Sequence, residues 1–302
     1  MKPFCMRFNK SWRVIRLAEY AETVFPHLPL ALRNSLYFYP PYLEPLHSHF
    51  RCLIISTEPL VCFVFYVKQK FGLPIPFKPI GVQQAGLTAH ISLDIENQIL
   101  TYFRRNYIKA HLFGNVHFPA QSPLWKARTN QELNLSFPLT DLVKQFSHGR
   151  RNEYNRPLGP FTILKNQNTE AVFAFQKQFI LDLEHRAYSS TLKNEVLKRF
   201  ADVCAFEQLH TYCAVNAEGE IQACMLMCEY ANSLYLMYSA RLHTPEAKAL
   251  GAKLILYVIA EYANSNYRID CEGSDIPGIQ SYYASFGASK TTYQEVSVAF
   301  WN

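Results

Sequence analysis

The sequence predicts an α/β protein of the α+β kind, made of two halves. Each half is a mixed, mostly antiparallel sheet flanked by helices. Three observations predict this. The composition is globular, with 49% hydrophobic and 18% charged residues over 302 positions, enough for one large domain or two ordinary ones. The second half reads β α α β β β α β α β, an antiparallel meander followed by a helical crossover. The first half reads strand pair, helix, strand, strand, which echoes part of that order. The division expected is 1–139 and 140–302.

In the first half, Trp12–Val24 reads as a helix. FRCLIIS (50–56) and PLVCFVFYVKQ (59–69) read as a hairpin around Thr57–Glu58. FGLPIPFKPIGVQQAGLTAH, with three Pro and three Gly, reads as a loop. Ser92–Lys109 reads as a helix, and AHLFGN and QELNLSF as strands. In the second half PFTILKN (160–166) is a short strand. Thr169–Tyr188 is a helix, with Val172, Phe175, Phe179 and Leu183 at helical spacing. Thr191–Gln208 is another, carrying Leu192, Val196, Phe200 and Val203. HTYCAVN (210–216), EIQACMLMCEY (220–230) and SLYLMYSAR (233–241) are strands joined by turns short enough for hairpins. Leu250, Leu254, Val258 and Tyr262 form an i+4 row on a helix over Lys248–Asn264. YRIDCEG (267–273) is a strand parallel to SLYLMYSAR. Ile276–Phe286 is a short helix closed by Gly287 in the left-handed conformation. TTYQEVSVAF (291–300) is the last strand.

Aromatics make up 15% of the chain, so a sizeable core is available. No apolar run approaches the roughly 20 residues of a membrane helix, so no membrane insertion is expected. The first residues, MKPFCMRFNKSWRVIR, lack the uninterrupted apolar stretch of a secretory signal, which points to the cytoplasm. The formal charge is +6. It divides unevenly: residues 1–150 hold 17 basic and 8 acidic side chains, a net of +9, and 151–302 hold 13 and 16, a net of −3. A basic half suits an anionic ligand such as a phosphate, a coenzyme or RNA, although soluble domains often differ this much. The eight cysteines, at 5, 52, 62, 204, 213, 224, 228 and 271, form no C-x-x-C. Most lie in apolar runs, as buried thiols do. Cys224 and Cys228 have no neighbouring His or second Cys pair to complete a zinc site, and His47-x-His49 alone is a weak metal signal, so no metal is expected. There is no G-x-S-x-G elbow and no Walker loop.

Three local features carry a resemblance. E-A-K-A-L-G-A (246–252) opens the helix after the meander. Y-A-S-F-G-A (283–288) closes the short helix. D-C-E-G-S (270–274) precedes Y-Y-A-S-F-G-A. Their order resembles the GNAT acyltransferase superfamily, most closely over about 140–302. The last feature is similar to the ending of the Fem-type peptidoglycan aminoacyltransferases, which hold two GNAT-like domains in tandem. FPLTDLVKQFSHGRRNEYNRP (137–157) resembles the basic linker helix of such proteins. PIGVQQAGL (79–87) resembles a segment of a bacterial tandem-GNAT group.

The resemblance implies a degenerate, basic GNAT-like domain over 1–139 and a second over 140–302. It implies acetyl-CoA or another acyl-CoA as co-substrate. The backbone of Leu236, Tyr238 and Ser239 would pair with a pantetheine-like arm. The amides of Lys248, Ala249, Leu250, Gly251 and Ala252 would hold pyrophosphate, as helix starts attract anions. Glu246 stands where the family has Gln or Arg, and Ala249 where it has the middle Gly. An anion and an added methyl both oppose phosphate there.

Tyr283 would protonate the leaving thiolate; otherwise it is a packed aromatic, with Tyr282 competing for the role. Asp270 and Glu272, two apart on a strand, would share a face and deprotonate an amine. Equally, they end a strand, with Asp275 as a cap for the next helix. Lys144, His148, Arg150, Arg151 and Arg156 would meet a nucleic-acid backbone or a 3′-phosphate, or form a solvated helix face. Gln83 and Gln84 would recognise an acceptor.

The function expected is transfer of an acyl group from a coenzyme A thioester to a small-molecule or peptide amine. A Fem-like transferase using aminoacyl-tRNA and an inactive GNAT-fold binding protein are the alternatives.

Overall fold

The computed structural model describes residues 12–166, 169–182, 190–272 and 277–299. The chain divides into two compact units: residues 1–128 with 292–302, and Thr129–Thr291. These bounds depart from a cut at 139. Residues beyond Thr129 pair inside the second unit, and the end of the chain returns to the first.

The first unit opens with β1 (Arg13–Ile15) and α1 (Leu17–Thr23), where a single helix was expected. Short helices α2 (Leu30–Arg33) and α3 (Pro40–Leu43) follow, then β2 (Phe50–Thr57), β3 (Leu60–Lys70), β4 (Leu73–Pro76) and β5 (Gly86–Leu87). The strands run antiparallel in the order β1-β2-β3-β4, with β5 also on β3. β4 lies in the stretch read as a loop. It is an edge strand, where proline costs no ladder hydrogen bond. α4 (Leu93–Asn106) starts as expected at Ser92, whose hydroxyl accepts from the Ile95 amide. β6 (Lys109–Phe113) follows. Phe63, Phe65, Leu100, Phe103, Leu112 and Trp125 share one core with Val296 and Val298.

In the second unit, β7 (Lys126–Asn134) enters from the first. α5 (Leu139–Gln145), α6 (His148–Asn155), β8 (Thr162–Lys165), α7 (Thr169–Asp182) and α8 (Ser190–Cys204) come next. Then come β9 (Leu209–Val215), β10 (Ile221–Tyr230), β11 (Ser233–Arg241), α9 (Leu250–Tyr262), β12 (Arg268–Asp270) and α10 (Pro277–Ala284). The strands are ordered β7-β12-β11-β10-β9-β8. Only β11 and β12 are parallel, as the crossover requires. The i+4 row on α9 is buried through Leu250, Leu254 and Val258. Gly287 has φ +82°, and a Cβ there would sit 2.9 Å from the Gln145 side chain, so both backbone and space demand glycine. β13 (Ser289–Ala299) then leaves the unit, and its residues 295–299 pair with β6.

Two clusters fill the faces of this sheet. Leu133, Leu234, Leu236, Leu254, Val258, Ile269 and Phe286 lie on one. Val172, Phe200, Cys213, Cys224 and Leu226 lie on the other, under α7 and α8. No helix of the described residues is long and apolar enough to cross a membrane.

Candidate active site

β12 is three residues long, and β11 is nine. They pair only from Ser233–Arg268 to Tyr235–Asp270. Beyond Tyr235, among the described residues, no strand pairs with β11 on that side. On the other side it stays paired with β10 as far as Arg241. β12 simply ends at Asp270, and the backbone of Leu236–Arg241, open on that side among the described residues, can accept an extended ligand as a further strand.

β11 also bulges within this stretch. Leu226 pairs with Tyr238 and Met227 with Leu236, which leaves Met237 as an extra residue. The bulge reverses the alternation. Leu234 and Leu236 join the α9 face, whereas Tyr238 packs on the α8 face with Ala240. Tyr238 stands edge-on to Phe200 at 5.1 Å. Its buried hydroxyl has no hydrogen-bond partner among the described residues. Ser239 is exposed.

The carboxylates gather where β12 ends. Ile269 and Cys271 belong to the α9 face, so Asp270 points to the other. It is 3% exposed. Asn130 on β7 donates from Nδ2 to Asp270 Oδ1 at 3.0 Å, and the Glu272 amide donates to the same oxygen at 3.1 Å. Burial, then the charges of Glu132 and Glu272, push the Asp270 carboxyl up to about 8, against the pull of those two hydrogen bonds. Glu132 lies directly opposite Asp270 in the ladder and 3.7 Å from Arg268.

Strand alternation does not bring Glu272 beside Asp270, because the strand stops at Asp270. Glu272 has φ +33°, and its amide folds back onto the Asp270 carboxylate. The proposed cap Asp275 lies outside the described residues.

Tyr283 of α10 is 8% exposed. Burial, then Cys271, Tyr282 and Glu272, push its phenol far above the ordinary range, so it holds its proton. Tyr282 diverges from it. A Cβ built at Gly251 would lie 3.9 Å from the Tyr282 hydroxyl, which places that hydroxyl over the start of α9. The Tyr282 phenol is pushed up to about 12, chiefly by burial. Of the two, Tyr283 is the one that senses Glu272.

At the start of α9, residues Glu246–Ala249 form a 3₁₀ turn. The Ala247 amide donates to Thr244 Oγ1, the Lys248 amide to the Pro245 carbonyl and the Leu250 amide to the Ala247 carbonyl. Leu250 and Ala252 are buried; Lys248 is exposed and Gly251 partly so. Lys253 does not face this turn, because its ammonium donates to the Glu153, Tyr154 and Arg156 carbonyls at the end of α6.

Arg150 does not lie on a solvated face either. Its guanidinium sits 4.2 Å from the Phe286 ring and 5.0 Å from that of Tyr282, bonds Ser285 Oγ at 3.1 Å and pairs with Glu153. It ties α6 to α10 and so holds the tyrosine pair. Lys144, His148, Arg151 and Arg156 are exposed.

In the first unit, the Gln84 side chain accepts from the Val116 amide at 3.1 Å. Gln83 is 6% exposed, with both amide atoms unpartnered among the described residues. His47 and His49 each face a backbone carbonyl, of Glu44 and Val67. Among the described residues, no group of three or more His, Cys, Asp and Glu is placed to hold a metal ion.

Three residues here escape sequence reading. Asn130 and Glu132 alternate with Leu133 and Leu135 in the manner of a solvent-facing edge. Asn130 is nevertheless 0% exposed, and its Oδ1 has no partner among the described residues. Arg199, on α8, is buried 3.8 Å from Asp202 and opposes the rise of the Tyr238 phenol. Only the polar spacing on β7 could have signalled any of them.

No protein-family profile matches the chain, and no curated protein sequence does. Solved structures do match. FemX is similar over 94% of this chain and 96% of its own, at 9% identity and a TM-score of 0.57. A conserved protein of unknown function from Bacteroides thetaiotaomicron VPI-5482 is similar over 94% and 98%, at 9% identity and a TM-score of 0.59. N-myristoyltransferase of Saccharomyces cerevisiae, solved with myristoyl-CoA, is fainter: 13% identity over 99% and 81%, at a TM-score of 0.47. The chain is a mixed α/β protein with two sheets and flanking helices, a GNAT-like fold.

Proposed function

We propose that the second unit is an N-acyltransferase that moves an acyl group from a coenzyme A thioester to an amine. The first unit is read as a second, degenerate GNAT-like domain. One observation carries the reading: β12 ends at Asp270 while β11 runs on to Arg241, so an open strand edge begins beside a buried carboxyl. An extended thioester arm laid along Leu236, Tyr238 and Ser239 would end beside Asp270 and Glu272, with Tyr283 meeting it from the α9 side of the sheet.

Asp270 takes the proton from the attacking amine. A carboxyl pushed up to about 8 is a stronger base than an ordinary aspartate and is still partly ionised near neutral pH. The nitrogen then bonds to the thioester carbon, and the oxygen becomes an oxyanion. An open amide of β11 stabilises it. As the C–S bond breaks, Tyr283 gives its proton to the departing thiolate. Glu272 and Asn130 hold Asp270 in place.

The start of α9 favours a second reading. With Glu246 beside it and three of its amides already bonded, that turn is a poor pyrophosphate cradle. A donor that does not need it, such as aminoacyl-tRNA, fits this detail better. An inactive binding protein would keep the same split without turnover.

Titration with acetyl-CoA, read as melting temperature, separates these. A ligand at 100 times its dissociation constant adds about 2.7 kcal/mol to the folded state. An upward shift that Gly251→Leu removes, together with thiol release when an amine is supplied, supports the coenzyme A reading. No shift at about millimolar ligand sinks it and leaves aminoacyl-tRNA as the donor to test. A shift without thiol release for any amine leaves a binding protein.

A further inference from the structure

The hairpin joining β3 to β4 lies in the first unit and has no part in this chemistry. Its loop is two residues, Phe71 and Gly72, with φ +53° and +76°. Turns of this kind favour Asn-Gly or Gly-Gly, because a bulky side chain is strained at the first position. Phe71 bears that strain while 92% exposed, so no packing within the described fold offsets it. Strain kept at an exposed position points to a use outside the fold.

The neighbours say what kind of use. Lys70 faces Leu73 across the hairpin, and Lys68 faces Ile75, so these four side chains share one face. Leu73 is also exposed, and the Lys70 ammonium lies 5.6 Å from the Phe71 ring. The sequence has no Asp or Glu between Glu58 and Asp94. The tip is thus an aromatic and aliphatic point with Lys70 beside it and no anion on its own element; Lys68, further back, has its ammonium 4.7 Å from the Phe77 ring.

We propose that this hairpin docks the protein on an anionic lipid surface. Phe71 and Leu73 enter the boundary between headgroups and acyl chains, and Lys68 and Lys70 lie against the phosphates. Nothing crosses the bilayer. Single-stranded RNA is the weaker partner: stacking uses successive rings, Leu73, Pro74 and Ile75 follow the turn, and the next ring, Phe77, lies under the Lys68 ammonium.

Flotation of the full chain with phosphatidylcholine vesicles, with and without about one-third phosphatidylglycerol, tests this. Binding is expected only to the anionic vesicles, weakening as salt rises. Phe71→Asn should lower it roughly tenfold while raising the melting temperature, since Asn-Gly suits the turn. Lys68→Ala with Lys70→Ala should cost a similar factor. Absence of vesicle binding, or binding that Phe71→Asn leaves intact, overturns the proposal. Capture of an oligouridine that depends on Phe71, without vesicle binding, also overturns it in favour of RNA.

Discussion

The two faces of the sheet in the second unit are made by the same strands and bury opposite kinds of group. Against α9 lie Leu133, Leu234, Leu254, Val258, Ile269 and Phe286, an apolar layer. Under α7 and α8, Val172, Phe200 and Leu226 share the buried space with Gln176, Arg199 and Thr211, and Asp270 points the same way. Burying a charge costs free energy that an apolar residue of similar size would not. The first face is built for stability, and the second sacrifices some of it. In the proposed function the base, Asp270, comes from the second face and the acid, Tyr283, from the cluster against α9.

The contrast can be broken at either face. Asp270→Asn should have the largest effect, a loss of about 10²–10⁴ in turnover with the fold intact, since the amide oxygen still accepts from Asn130 and Glu272. Steady-state thiol release under matched conditions measures it, and an unchanged rate would remove Asp270 from the reaction. Leu254→Ala should do the reverse. It should lower stability by about 2–5 kcal/mol in urea titration and leave turnover per folded molecule alone. Tyr283→Phe should cost about 10²-fold in turnover, and less when the leaving thiol is activated and needs no proton. A uniform loss across leaving groups would mean that Tyr283 only packs.

Two smaller effects concern pH. The Asp270 carboxyl is raised in the folded state, so the native chain binds a proton that the unfolded chain has lost above about pH 4. The stability tied to Asp270 is therefore full below that pH and falls as pH climbs through about 8. Asp270→Asn should flatten this fall, and melting curves from pH 5 to 9 would show its advantage growing toward the alkaline end. Glu272→Gln removes one of the charges that raise Asp270, so the rise of rate with pH should move to lower pH. A shift to higher pH would contradict the assigned electrostatics.

Much of this architecture is legible in the residues. The i+4 row from Leu250 to Tyr262, the meander with its short turns and the glycine after Phe286 each have one local physical solution, and each is found. What was hidden depends on partners distant in sequence. Pro74 and Pro76 suggest a loop until β3 proves long enough to pair with them. Asn130 and Glu132 look solvent-facing until β12 is laid beside them. A bulge at Met237 leaves no mark on a run as apolar as SLYLMY, yet it decides which way Tyr238 points. Glu272 stands beside Asp270 through a turn and not through strand alternation, and a turn after so short a strand has no local signature.

The chain's path has a consequence for how the protein is assembled. The second unit is one unbroken segment, whereas the first is closed only by the residues that return to it after Thr291. On a ribosome, residues 1–128 emerge long before the strand that supplies Val296 and Val298 to their core exists. During that interval β6 lacks its β13 partner and presents an open edge. Removing residues after Thr291 would therefore damage the first unit, while β8 to β12 of the second keep their pairing among themselves.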